Sequence, residues 1–265
     1  MSAGHISSGV LSKRAYLGIA IASPLLLLVI WYAVSASGWV NPMLLPAPNV
    51  VVASAWDMMV NGYSGVAMSV HIAASLWRVL VAFVGGSLLG VALGLWRARS
   101  QVADAIWLIP SEILRPIPPL GLVPVFILWF GIGELSKILL IFVSVLLITM
   151  VNAREGAVGV KQELLRAAQM MGANRVQMFA RVILPAALPQ IMTGLRIAMG
   201  TALSILVAAE LLGGDKGLGF VVLDAANFFR TPYVFAGVLI IGLIGLIIDR
   251  LFARFIKTFI HWQSR

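Results

Sequence analysis

Residues 163–200 read ELLRAAQMMGANRVQMFARVILPAALPQIMTGLRIAMG, a long, polar and basic stretch set between hydrophobic blocks. As far as Pro185 it carries Arg166, Arg175 and Arg181 against a single acid, Glu163. That balance suits a surface on the cytoplasmic side of a membrane, where Lys and Arg are retained. Ala167, Ala168, Met171, Val176, Met178, Phe179 and Val182 recur at about helical spacing, and Gly172 falls between the two halves, where a chain reversal needs no side chain. The spacing predicts two short amphipathic helices joined at Gly172. Pro185 and Pro189 then interrupt the pattern before the next apolar run, which makes residues 154–188 a rigid projection.

The whole chain agrees with a membrane setting. It is 61% hydrophobic and 11% charged, with a mean hydropathy of +1.01, against roughly 45–50% apolar and ~25% charged in a soluble domain. Its 265 residues accommodate about six spans of ~20 residues with their loops, so residues 1–265 read as a single all-α transmembrane domain. The net charge of +9 belongs with basic cytoplasmic loops and not with nucleic acid. With no cysteine, disulfide and thiol chemistry are excluded. His5, His71 and His261 lie far apart without acidic neighbours at ligand spacing, so no metal site is expected.

Read in order, Lys13-Arg14 precede an uncharged run from Ala15 to Val40. The alternative, a secretory signal cleaved near Ala33-Val34-Ser35, competes with a first span, but the apolar run is longer than a usual signal core. Residues 37–66 are rich in Pro, Asn and Gly without Lys or Arg, and predict an outside loop with a short helix near 50–60. A second span covers about 70–96, with Gly85, Gly86, Gly90 and Gly94 placing small residues where another helix can approach closely, and Arg97 and Arg99 mark its cytoplasmic end. The third, about 103–130, contains Pro110, Pro116, Pro118, Pro119 and Pro124, and must break near 116–119. Such a break is tolerated only where protein or a hydrated cavity covers the freed backbone groups. The fourth span runs from about Lys137 to Ala153, the fifth from about Pro189 to Leu212 and the sixth from about Pro232 to Phe255. A Gly-rich loop occupies 213–231. Six crossings put Arg99, Arg154, Arg254, Lys257 and Arg265 on one side, with both termini cytoplasmic.

The spaced residues Arg166-Ala167-Ala168, Gly172, Val182 and Leu184-Pro185 resemble the cytoplasmic signature of the membrane permease subunits of bacterial ATP-binding-cassette (ABC) importers. That signature is Glu-Ala-Ala, three residues, Gly, nine residues, Ile, one residue and Leu-Pro. Arg166 stands where the family has Glu, and Glu163 lies one turn back on the same face. Residues 114–120 (LRPIPPL), 128–133 (LWFGIG), 194–196 (GLR) and 208–210 (AAE) are similar to the nitrate, sulfonate and taurine branch, and most of all to its taurine members. The resemblance implies a type I importer permease in the bacterial inner membrane. It implies that Glu163, Arg166, Ala167, Ala168, Gly172 and Arg175 form a segment coupling to the ATPase. It also implies three partners: a second copy of the chain, a cytoplasmic ATPase dimer that binds ATP and Mg, and an external solute-binding protein. The substrate so implied is a small anion or zwitterion, taurine or an alkanesulfonate, with nitrate as the alternative.

The residues themselves carry no phosphate-binding Gly-x-x-x-x-Gly-Lys-Ser/Thr loop, so ATP has to be bound by another chain. Nor do they offer a cluster of acid, base and nucleophile within the spans. A stand-alone channel or secondary transporter remains the reading of a different class. Among the charges inside apolar blocks, Glu112 and Arg115 stand at i,i+3 and are expected to pair, either bracing the proline break or lining a pathway. Arg78 and Arg196 are intramembrane cations with the same two readings, and Arg196 can reach back to the cytoplasmic surface. Glu210 is placed to hold the following Gly-rich loop, and Asp249-Arg250 to form an interfacial charge cluster. The third and fifth spans are expected to line a passage at a two-fold axis between copies.

Overall fold

In hydrocarbon a chain satisfies its backbone N–H and C=O groups internally, as helices or as a closed barrel, and this chain takes the helical course. The computed structural model describes residues 12–211 and 213–259. The helices are α1 (Lys13–Ala36), α2 (Pro48–Asn61), α3 (Met68–Arg99) and α4 (Gln101–Leu114), then, after a 3₁₀ turn at Pro119–Leu122, α5 (Val123–Phe130). They continue as α6 (Glu134–Val158), α7 (Gln162–Met170), α8 (Arg175–Met178), α9 (Leu184–Leu211), α10 (Leu218–Asn227) and α11 (Thr231–Phe259). Five helical stretches among the described residues are long and apolar enough to cross a membrane, and α4 with the segment Pro119–Phe130 makes a sixth, bent by 90°.

That bent pair traverses the bilayer. Asp104, near its start, holds Arg97 on α3, whereas Glu134, just past its end, holds Arg78 on the same helix. Nineteen residues of helix separate Arg78 from Arg97, about 28 Å at 1.5 Å per residue, close to the ~30 Å of a hydrocarbon core. Pro116 and Pro118 are why the crossing is bent: neither has an N–H to donate, and each disfavours helical geometry in its predecessor.

The centre of the bundle is the contact of α3 with α6. A methyl group added to Gly86 would lie 2.8 Å from the Phe142 carbonyl oxygen, one on Gly90 would collide with Thr149 Oγ1, and one on Gly94 would collide with the Met150 carbonyl. The two backbones therefore touch along a stripe of small residues, as the spacing of these glycines predicts. Behind the stripe α9 packs on α6, and Val79, Ala82, Ile141, Val145, Ala198 and Ala202 form the main core. A second core, including Val51, Met58, Met68, Val221 and Ala236, joins α2, α10 and α11. Helix α1 is exposed along its span and touches α2's approach through Trp31 Nε1, which donates to the Pro46 carbonyl at 3.1 Å.

Three expectations are corrected. The stretch 213–231 is not only loop, because Leu218, Val221 and Ala225 are buried and give α10 an apolar face. The second amphipathic helix is not separate: one apolar helical stretch runs from Arg175 to Leu211. Pro185 follows just after a π segment at Phe179–Ile183, a local widening of the helix beside a residue that has no N–H to donate, and Pro189 is carried inside α9. Third, Glu112 and Arg115 form no ion pair among the described residues. Arg115 follows Ser111, one turn back on the same face, toward a cavity that Glu112 does not line. His5, His261 and Arg265 lie outside the described residues.

Candidate functional site

Charged side chains inside an apolar bundle are costly, and pairing reduces the cost. Most of those here are paired. At one end of α3 the guanidinium of Arg78, 3% exposed, reaches Glu134 through Nε and Nη2, both at 2.6 Å, Glu210 Oε1 through Nη1, and the Lys216 carbonyl at 3.0 Å. Lys137 is buried beside Glu134 at 3.7 Å, so two cations meet two anions.

Glu210 is the hub of this network. It accepts from Ser75 Oγ at 2.7 Å and from the Gly219 N–H at 2.8 Å, while Ser75 Oγ accepts from the Leu218 N–H at 2.9 Å. The Gly217 N–H approaches His71 Nδ1 at 3.2 Å. The loop entering α10 is thus fastened to α3 and α9 through Glu210, and Arg78 is buried within the same network. Sequence reading missed Glu134, Lys137, Ser75 and His71 as members of this network. A buried acid in the apolar block was the only signal, and it named no partner.

At the opposite end Asp104 accepts two bonds from Arg154, both at 2.6 Å, and one from Arg97 Nε at 3.1 Å. Arg97 Nη1 continues to Ser111 Oγ at 3.2 Å. This clamp ties α4 to α3 and α6. Where α2, α10 and α11 meet, Tyr63 Oη donates to Asp224 at 2.9 Å and Tyr233 Oη to Asp57 at 2.7 Å. Burial, followed by the bond to Asp224, pushes the Tyr63 hydroxyl up to about 12. Bonds from Tyr233 and Asn61 hold the Asp57 carboxyl below its ordinary value.

A cavity of about 450 Å³ opens beside the bend, lined by α4, the 3₁₀ turn, α6 and α9. Arg115, Ser144, Asn152, Glu155 and Thr201 supply its polar groups, and Leu122, Leu147 and Ile197 are among its apolar walls. Within the break, Arg115 and Ile117 border this cavity, while Arg115, Pro116 and Pro118 remain exposed in the single chain. Along α9 a shallow groove holds Thr193, Gly200, Thr201 and Ser204, with Arg196 bound in a fork to Asp249 at 2.8 and 2.9 Å. The partner of Asp249 is thus Arg196, on another helix, and the pair is half exposed.

The basic segment is a turn with two ordered flanks. Helix α7 ends at Gly172, whose φ is +76°, and the Ala173 N–H returns to the Ala168 carbonyl at 3.0 Å. Asn174 Oδ1 then caps α8, accepting from Gln177 N at 2.8 Å, and Gln177 Oε1 accepts from Asn174 N at 2.9 Å, the reciprocal capping box. Ala168 is buried, while Glu163, Arg166, Ala167 and Arg175 are exposed. Glu163 and Arg166 form no ion pair among the described residues. Met170 and Met171 are more than 80% exposed at the tip, with Val176 beside them. Arg99 lies over the Phe179 ring at 5.2 Å and holds the far side against α3.

Comparison with known proteins adds to this geometry. The family described as binding-protein-dependent transport system inner membrane component matches residues 86–261. The taurine transport system permease protein TauC of Escherichia coli K12 is 38% identical over 240 residues, covering 90% of this chain and 86% of that protein. A putative aliphatic sulfonates transport permease protein, SsuC of Bacillus subtilis, is 33% identical over 242 residues, covering 91% and 86%. Among solved structures, a chain of the MetNI methionine ABC transporter in an inward-facing conformation superposes with a TM-score of 0.58 at 17% identity, over 80% of this chain and 97% of that one. That last likeness concerns the fold alone.

Proposed function

The chain belongs to the binding-protein-dependent transport system inner membrane components, the permeases of ABC importers, and from that premise we propose that it passes a small sulfonate, taurine foremost, into the cytoplasm. The observation that carries the substrate is the 38% identity to a taurine permease over 90% of the chain. In this reading ATP and Mg are bound by a separate ATPase dimer, and residues 154–188 dock against it, with Glu163, Arg166, Ala167, Ala168, Gly172 and Arg175 at the contact. The exposed Met170, Met171 and Val176 support it, since they give the tip an apolar surface that suits a groove. Both termini lie in the cytoplasm, and a secreted binding protein delivers the solute from outside.

Two copies of the chain form the passage. The face of α9 that carries Thr193, Arg196, Gly200, Thr201 and Ser204 is polar and open, a poor surface for lipid and a good one for a second helix or a hydrated path. The cavity beside the bend adjoins it through Ile197 and Thr201. Proteoliposomes containing the chain with its cognate ATPase and binding protein test the proposal. ATP-dependent, saturable uptake of taurine, competed by alkanesulfonates, is expected. Uptake of nitrate alone would move the chain to the nitrate alternative, and uptake without ATP or partners would refute the coupled mechanism.

A further inference from the structure

When the ion pairs of the bundle are removed from consideration, two charges remain that face one space. Arg115 and Glu155 both line the cavity beside the bend, and neither has an ion-pair partner among the described residues. The cations and acids around them are engaged elsewhere: Arg154 and Arg97 with Asp104, and Arg196 with Asp249. The rest of the polar lining is biased toward accepting. Ser144 Oγ gives its proton to the Leu140 carbonyl at 3.0 Å and Thr201 Oγ1 gives its own to the Ile197 carbonyl at 3.0 Å, which leaves hydroxyl lone pairs free. The cavity thus combines one strong donor fork with a carboxylate and acceptor hydroxyls. A simple anion would meet attraction from Arg115 and repulsion from Glu155, whereas a molecule bearing both charges meets attraction from each.

We infer that this cavity is a waypoint for a small zwitterion, its acidic end taken by the Arg115 guanidinium and its ammonium by the Glu155 carboxylate. The inference rests on the proposed sulfonate import and narrows it, favouring an aminoalkanesulfonate over an amine-free sulfonate or nitrate. The position suits a late stage of passage. Ser144 to Glu155 spans eleven residues of α6, about 16 Å, in the half of the helix that ends at the Asp104 clamp. A fork and a carboxylate set apart across an apolar-walled space hold each end of the solute without enclosing it, as a site that must also release requires.

The test uses the permease with its ATPase in lipid nanodiscs and ligand-observed NMR with 2-aminoethanesulfonate and ethanesulfonate. The wild type is expected to bind the amino compound about tenfold more tightly, the scale of one charge-assisted hydrogen bond. Glu155→Gln should weaken the amino compound by that factor and strengthen ethanesulfonate, because it removes an attraction from one and a repulsion from the other. Glu155→Asp should keep the preference, and Arg115→Gln should weaken both ligands. Equal affinities in the wild type, parallel shifts of both ligands in Glu155→Gln, or no saturable binding would each overturn the inference. Uptake by the complete importer reads the premise separately: an importer that carries no sulfonate refutes the proposed substrate. Taurine uptake combined with equal affinities refutes only the roles of Arg115 and Glu155.

Discussion

Replacing Gly90 by Ala tests whether the α3–α6 contact holds the bundle together. In an open helical position the change adds helix propensity, worth up to ~1 kcal/mol. Here the new methyl would lie 2.6 Å from the Leu146 carbonyl oxygen and collide with Thr149 Oγ1. A carbon rests about 3.3 Å or more from a carbonyl oxygen, so the helices must separate by about 0.7 Å. The Thr149 hydroxyl must also leave its bond to the Val145 carbonyl, now 2.8 Å. Overpacking of this kind costs about 1–3 kcal/mol, which outweighs the propensity gain. At about 2–4 °C per kcal/mol, melting of the purified permease should fall by a few degrees. Gly242→Ala is the matched control, since nothing lies within 4 Å of a methyl there, and it should melt at or above the wild-type temperature. A Gly90→Ala protein as stable as the Gly242→Ala protein would refute the contact as the organising one.

The two acids that hold Arg78 should differ. Glu210→Gln leaves a buried guanidinium short of charge and should cost about 3–5 kcal/mol, with faster proteolysis in 213–219, whereas Glu134→Gln, whose side chain is 59% exposed, should cost about 1 kcal/mol or less. Equal losses would contradict the network. Gly172→Val imposes a φ of +76° on a β-branched residue at a strain of about 1 kcal/mol or more; membrane insertion should persist while ATPase association and transport fall, and unchanged association would count against the coupling assignment. Because the Tyr63 pKa is raised in the folded protein, its contribution is complete below about pH 10, the unfolded value, and is lost as pH rises toward about 12. Thermal scans from neutral to strongly alkaline pH should therefore show a smaller alkaline loss in Tyr63→Phe than in the wild type, and parallel curves would deny that Tyr63 is the group responsible.

Crossings, breaks and turns were legible in the residues because each depends on short-range chemistry. Uncharged runs must be helical in lipid, Pro116 and Pro118 must bend the helix that contains them, and Gly172 can reverse the chain at positive φ without penalty. The stripe Gly86, Gly90 and Gly94 announced a close helix contact, but the partner, α6, is set by packing across 50 or more residues. Partner choice among charges was equally hidden. Arg78 is held by Glu134 and Glu210, far along the chain, and Arg196 found Asp249, because a charge in the bundle takes whichever opposite charge the helix packing brings within reach. The nearby pair Glu112 and Arg115 stayed apart for the same reason: the bend turns Arg115 toward a cavity that α4, the 3₁₀ turn, α6 and α9 enclose together, and Glu155 on α6, forty residues away, lines the same space. What the sequence by itself determined is where the chain crosses, bends and turns, since those are local demands of backbone and solvent. Which side chains share a space was decided by the tertiary structure alone, since proximity in a bundle depends on the rotation and contact of whole helices.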